Sequence, residues 1–193
     1  MATPVLGPDG QPRCSWIAAV PEFLSYHDTE WGFPDADDYR LFEKLSLEAF
    51  QSGLSWRTIL AKRENFRAAF RGFDFHSVAR FTDADVSRLL GDSGIVRHRG
   101  KIEAVIGNAR RAGELADREG SLAAYIWRYE PEAESMRAAE ALSKDLRKQG
   151  WKFVGPTTVY AFMEATGLVN NHAEECAIWP EADRQRRGFT RPA

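Results

Sequence analysis

Apolar positions along this chain recur at steps of three and four, the period of a helix, and no stretch shows strand-like alternation with a period of two. The most informative segment is LFEKLSLEAFQSGLSW, Leu41 to Trp56. Leu41, Leu45 and Glu48 share one helical face, with Phe42 and Ala49 beside them, so the acid points where apolar side chains point. Gln51, Ser52 and Gly53 end this helix, since glycine suits the left-handed position that follows a helix. Ser55 can cap the next one, which opens with Trp56. The same spacing predicts a short helical turn starting at Pro21 and helices over Trp56–Lys62, Asn65–Phe70, Asp74–Ala79, Asp83–Leu90, Lys101–Asp117, Ser121–Tyr129, Ala141–Gln149 and Thr157–Thr166. Glu130 to Ala138 is charged and reads as a solvated connector. The expected fold class is all-α, built from many short helices.

Composition changes this picture little. At 193 residues the chain suits one domain with a real core, and 44% hydrophobic with 28% charged residues is ordinary for a soluble globular protein. No apolar run approaches the roughly 18 residues of a membrane span. The segment MATPVLGPDGQPR lacks the basic-then-apolar order of a signal peptide, and residues 1–12 read as a flexible leader. A cytoplasmic location is therefore expected. A net charge of -2 gives no global sign of a nucleic-acid partner, but local basic groups stand out. These are Arg97, Arg99 and Lys101; Lys144, Arg147, Lys148 and Lys152; and Arg184, Arg186, Arg187 and Arg191, the last in a basic tail over 181–193 that reads as solvated surface.

Four features carry candidate chemistry. An inward Glu48 is either a structural acid paired to arginine or backbone, or a carboxylate reserved for a ligand. Trp16, Phe23, Tyr26 and Trp31 lie close together in sequence, as core packing or as a π-rich wall that stacks a flat ligand or attracts a cation. The cysteines Cys14 and Cys176 are two unrelated free thiols or metal ligands. If 171–178 is helical, His172 and Cys176 share a side, and Cys14 and His27 complete a Cys2His2 set suited to a closed, structural zinc site, although the C-x12-H…H-x3-C order is not a standard zinc-finger spacing. Last, helix, glycine-bounded turn (Gly150 to Gly155) and helix present backbone N–H groups at a helix start, with Lys148 and Lys152 nearby, an arrangement suited to a phosphate.

Together these residues resemble the 3-methyladenine DNA glycosylase I family of the helix–hairpin–helix glycosylase superfamily. The resemblance is carried by RCSW at 13–16, YHDTEWG at 26–32, LEAFQSGLSW at 47–56, KRENFR at 62–67, GIVRHRGKIEAVIGNAR at 94–110 and FVGPTTVYAFMEATGLVNNH at 153–172. It implies a compact helical glycosylase domain over 13–180, with the helix–hairpin–helix element at about 141–167, between the leader and the basic tail. It implies an enzyme that flips 3-methyladenine out of alkylated double-stranded DNA and hydrolyses its N-glycosidic bond, releasing the free base and leaving an abasic site. It implies one structural zinc per chain on Cys14, His27, His172 and Cys176, stapling the N-terminal segment to the C-terminal one. Glu48 becomes the catalytic residue and, with Trp16, Phe23, Tyr26 and Trp56, the base-binding set. Gly53, Leu54, Lys152, Gly155, Thr157 and Thr158 become the DNA contacts, with Leu54 the wedge that fills the gap left by the flipped base. Monomer is the expected state.

Two positions depart from the family pattern: Phe23 where tyrosine is frequent and Phe50 where glutamine is common, the latter beside the turn expected to meet DNA. The region after the hairpin reads Asn170, Asn171, His172, without the catalytic aspartate of much of the superfamily. Two competing functions follow from that gap: a non-catalytic reader of alkylated DNA, and a plain helix–hairpin–helix module with a structural zinc.

Overall fold

The structure, a computed structural model, describes residues 4–18, 20, 22–131 and 135–193. The chain forms two compact units, one from 1–35 and 163–190 and the other from 36–162 and 191–193. Helices dominate the 36–162 unit, as the three-and-four spacing predicts, while the other unit has fewer helical residues among its turns. Among the described residues no helix is long and apolar enough to cross a membrane.

In the 36–162 unit, helix α2 (Asp38–Gln51) is capped by Asp37, whose carboxylate accepts from the Tyr39 and Arg40 amides, and it buries every residue from Leu41 to Phe50. Helices α3 (Trp56–Ala61), α4 (Arg63–Ala69), α5 (Phe75–Val78) and α6 (Asp83–Gly91) follow, the last closed by a Thr82–Asp85 capping box. The longest, α7 (Arg99–Glu119), starts at a His98 cap, and α8 (Leu122–Trp127) starts at a Ser121 cap. Phenylalanines fill the centre. Phe50 lies 4.7 Å from Phe66, Phe70 lies 5.5 Å from Phe73, and Phe42 lies 5.9 Å from Phe75, ring centre to ring centre. Phe50, beside the turn expected to meet DNA, is wholly buried in this cluster, because its place on α2 turns it towards α4.

Helix α9 (Ser135–Lys148) begins earlier than the expected connector allows, so 135–138 are helical, while 132–134 lie outside the described residues. Ala139, Leu142, Ser143 and Leu146 form its buried stripe, and Met136, Arg137 and Ala138 are good helix formers that extend the first turn. Tyr125 of α8 and Tyr129 just after it both donate their hydroxyls to the Asp145 carboxylate of α9, at 2.6 and 2.8 Å. Helix α10 (Pro156–Ala165) carries proline at its first position, where a missing N–H costs nothing.

In the other unit, α1 (Phe23–Thr29) buries Phe23, Tyr26 and His27, the helical spacing expected of them. Two short strands occur where none was expected: β1 (Val5–Leu6) pairs antiparallel with β2 (Pro12–Arg13), around a turn with Gly10 at φ 75°. Two-residue strands are too short to leave an alternating signature. The basic run at the C-terminus is helical in α11 (Trp179–Gly188), with Ala182 buried. Arg184 and Arg187 are solvated, but Arg186 donates to the carbonyls of Gly167 and Leu168 at 2.7 and 2.8 Å.

Candidate functional site

The ligand atoms of Cys14, His27, His172 and Cys176 all lie within 4.8 Å of one another, and all four residues are buried. His27 Nε2 stands 3.2 Å from His172 Nδ1. Cys14 Sγ is 3.6 Å from His172 Nδ1, and Cys176 Sγ is 3.7 Å from His27 Nε2 and 3.8 Å from His172 Nδ1. Cys14 follows β2, and His27 rides on α1, the helical turn that the sequence suggests. The 171–178 segment is a run of turns rather than a helix. Its amides are used elsewhere: Ala173 N–H donates to Cys14 Sγ at 3.3 Å and Ala177 N–H to the Pro12 carbonyl at 2.8 Å. Turn geometry, not helical spacing, brings His172 and Cys176 to one side.

Hydrogen bonds outside the cluster select its donor atoms. His27 Nδ1 lies 2.6 Å from Asp28 Oδ1, and His172 Nε2 lies 2.9 Å from the Trp31 carbonyl oxygen. Each of those nitrogens must carry the proton, because its partner only accepts. The remaining nitrogens then face each other with lone pairs, beside two sulfurs. Such an arrangement is repulsive until a cation sits between the atoms, and that is the observation that fits the set to a metal ion. Asp28 is in turn gripped by Arg13, whose Nε is 3.0 Å from its Oδ1, and Arg13 also pairs with Asp9 at 2.9 Å. The Asp28 hydrogen bond holds the guanidinium still more firmly protonated than usual. Hydrogen bonding between the two sulfurs pulls the Cys176 thiol far below its ordinary value and raises that of Cys14. The outer residues Asp28 and Arg13 escaped sequence reasoning; their signal is adjacency, an acid directly after His27 and a base directly before Cys14.

Two glycines let the N-terminal segment reach the cluster. A Cβ at Gly32 (φ 83°) would lie 2.8 Å from His172 Nε2, and one at Gly167 (φ 72°) would lie 2.4 Å from the Phe33 carbonyl carbon. Both positions need the left-handed backbone and the missing side chain. Trp16 packs edge-on against Phe23, His27 and Trp31 at 5.6, 5.2 and 5.2 Å. Of the expected base-binding set, Trp16, Phe23 and Tyr26 thus belong to the unit that holds the Cys/His cluster. Glu48 and Trp56 belong to the other unit.

There Glu48 is buried on α2, at 7% exposure, and the chain leaves the helix through an exposed turn. Gly53 takes φ 80°, Leu54 is 44% exposed at the tip, and Ser55 Oγ accepts the Thr58 amide to start α3. The turn is held by a residue that the sequence shows only as part of a basic cluster with Arg97 and Arg99. Lys101, on the first turn of α7, is buried, and its ammonium donates to the Phe50 carbonyl at 2.8 Å and to the Ser52 carbonyl. Burial holds its pKa below the ordinary lysine value. Between α9 and α10, Gly150 takes φ 88° and Phe153 φ 55°, and Lys152, Thr157 and Phe153 are exposed, with Gly155 and Thr158 half-buried. Buried Asn108 of α7 clamps this turn, donating to the Lys152 carbonyl and accepting its amide, both at 2.9 Å. Ser143 Oγ donates to the Val154 carbonyl at 2.7 Å.

The sequence profile of the family described as methyladenine glycosylase matches residues 16–179. The chain belongs to that family. It is 45% identical over 181 residues to DNA-3-methyladenine glycosylase 1 of Escherichia coli K12, a match covering 87% of this chain and 97% of that protein. A solved structure described as the structural basis of 3-methyladenine recognition by 3-methyladenine DNA glycosylase I of Staphylococcus aureus superposes with a TM-score of 0.82 at 37% identity, over 86% of this chain and 96% of the other. Another, a tyrosine-to-phenylalanine variant of 3-methyladenine DNA glycosylase I in complex with 3-methyladenine, gives 0.80 at 38% identity over 86% and 97%. The expected family and helical glycosylase fold are thereby borne out.

Proposed function

We propose that this protein excises 3-methyladenine from alkylated double-stranded DNA. It is a hydrolytic glycosylase of DNA repair, and family membership carries that reading, with the buried acid of α2 leading directly into an exposed apolar turn as its local counterpart. The chemistry suits these residues. 3-Methyladenine carries positive charge while attached to the sugar, so it leaves without a strong acid. The protein must extrude it, hold it, and admit water to a sugar with oxocarbenium character. Extrusion costs a few kcal/mol, less for a damaged base. Glu48, ionised, is assigned to accept hydrogen bonds from the base edge and to favour its cation. Trp56 in the same unit, and Trp16, Phe23 and Tyr26 in the other, are assigned to base binding through stacking and cation–π attraction. Leu54 is assigned as the wedge. The turn between α9 and α10 is assigned as the helix–hairpin–helix phosphate grip, through Lys152, Gly155, Thr157 and Thr158, with Gly53 shaping the wedge turn. The protein works as a cytoplasmic monomer in this reading.

The metal is assigned as one structural zinc. Tetrahedral zinc with Zn–N bonds of about 2.05 Å and Zn–S bonds of about 2.3 Å places ligand atoms about 3.3 Å (N to N) and about 3.6 Å (N to S) apart. The separations of 3.2 Å between nitrogens and 3.6, 3.7 and 3.8 Å between nitrogen and sulfur match that frame. With four protein ligands such an ion supplies cross-linking rather than catalysis.

The test is base release from methylated duplex by the wild type and by Glu48→Gln. Losing one charge-assisted hydrogen bond costs roughly 1.5–3 kcal/mol, so excision and binding of free 3-methyladenine are expected to fall by about one to two powers of ten, with duplex affinity and zinc content nearly unchanged. No base release by the wild type leaves a reader of alkylated DNA. A collapsed melting curve for Glu48→Gln, with excision per folded molecule intact, makes Glu48 a structural acid.

A further inference from the structure

Helix α7 fastens both of the turns assigned above to DNA. Lys101 and Asn108 are seven residues apart, two helical turns, so they lie on one face about 10.5 Å apart along the axis. Both are polar and buried, at 7% and 3% exposure, and both direct their side chains at backbone. Lys101 ties the carbonyls of Phe50 and Ser52, immediately before Gly53 and Leu54. Asn108 closes both backbone groups of Lys152, immediately before Phe153. Beyond each clamp stands an exposed apolar side chain, Leu54 at 44% and Phe153 at 39%. Phe153 holds a left-handed backbone that a non-glycine residue adopts only under constraint, and the clamps on Lys152 and Val154 supply that constraint on either side.

Stability alone accounts poorly for Lys101. A cation in the first turn of a helix opposes the helix dipole, and burying an ammonium is costly. What it gains is two carbonyls at the opposite pole of α2, the end from which the wedge turn departs.

We propose that Lys101 and Asn108 are positioning residues that set the 52–55 turn and the 150–155 hairpin at one fixed spacing, so that wedge and phosphate grip engage the same duplex together. The proposal rests on the assignment of those turns to DNA. It goes beyond that assignment in naming α7 as the spacer, and in requiring the two clamps to act as a unit.

The experiment is a double-mutant cycle with Lys101→Met and Asn108→Ala, read by single-turnover base release from methylated duplex, by KM for the duplex, by binding of free 3-methyladenine and by thermal melting. Each single variant is expected to lower excision about tenfold or more, the loss of a hydrogen bond to a buried group, while the affinity for free base stays within about twofold. The Lys101 variant acts on kcat and the Asn108 variant on KM. Lys101→Arg, which keeps N–H donors for the carbonyls, is expected to restore most of the loss. Should Lys101→Met not fold, Lys101→Gln retains one donor and gives the intermediate value. The double variant is expected to lose clearly less than the product of the single losses, because one displaced turn already deprives the other of its partner. Losses that multiply would overturn the shared spacing, and so would excision per folded molecule that stays at the wild-type level in both single variants. Leu54→Ala and Lys152→Ala run alongside. If these too leave excision and duplex binding untouched, the assignment of the turns to DNA fails and takes the proposal with it. If they lower both while the clamp variants do not, the assignment stands and the clamp alone falls.

Discussion

The two units of this molecule are held together by different physics. The 36–162 unit is packed on phenylalanine: Phe42, Phe50, Phe66, Phe70, Phe73 and Phe75 are almost wholly buried and pack together from α2, α4, the turn after α4 and α5. The other unit buries Phe23, Tyr26, Met163 and Leu168 rather than a run of stacked rings, and joins segments more than 140 residues apart, such as His27 and His172, through polar atoms. Its organising centre is the Cys/His cluster, backed by the chain Asp9–Arg13–Asp28–His27. A core held by apolar area degrades gradually when one contact is lost. A cluster of facing lone pairs and sulfurs, if it holds the proposed cation, fails when the cation goes.

The largest effect should therefore be confined to one unit. Chelation, or Cys176→Ser, is expected to remove several kcal/mol at least, since structural zinc contributes about 10–16 kcal/mol in small zinc domains. Hydrogen exchange should show amides of α1 and 163–178 losing protection while those of α2 and α7 keep theirs. Equal loss in both units would erase the contrast drawn here, and metal analysis finding no zinc would remove its basis.

Next in size, Phe70→Ala should cost about 3–5 kcal/mol in a urea titration, the price of truncating a fully buried aromatic. Metal affinity should not change. A loss of zinc in this variant would mean that the units are not held independently.

Asp28→Asn sharpens the comparison from the other side. It keeps the size of the side chain but weakens the acceptor that orients His27, and partners of this kind are worth about 10–100-fold in metal affinity. Competition with a chromophoric chelator reads the change. An unaltered affinity would make the Arg13–Asp28 pair a structural ion pair without influence on the cluster.

The smallest effect lies in the phenylalanine-packed unit and depends on pH. Hydrogen bonds from Tyr125 and Tyr129 hold the Asp145 carboxyl below its ordinary 3.8. Because the folded value is the lower one, the stability it contributes is complete above the unfolded value and drains away as pH falls through the folded value. Tyr125→Phe should thus cost about 1 kcal/mol at pH 6 by denaturant midpoint, and less at pH 3. A pH-independent difference would assign the effect to packing of the ring.

Local chemistry made much of this legible from residues alone. Helices follow from the spacing of apolar side chains, and Ser55, Asp74 and Gly53 mark their ends because caps and left-handed turns depend on a residue and its immediate neighbours. The four cluster residues were nameable because Cys and His are rare and chemically specific, and their family resemblance fixed which four to expect. Tertiary structure decided what depends on partners distant in sequence. Lys101 reads only as a basic residue clustered with Arg97 and Arg99 until the carbonyls of Phe50 and Ser52, 51 and 49 positions away, come to meet it. Phe50 reads only as a residue beside the turn expected to meet DNA until Phe66 and Phe70 enclose it. The 171–178 segment gives up its expected helix because its amides find Cys14 and Pro12 near the other end of the chain. A periodic pattern states which face of an element is buried; only the folded chain states what that face is buried against.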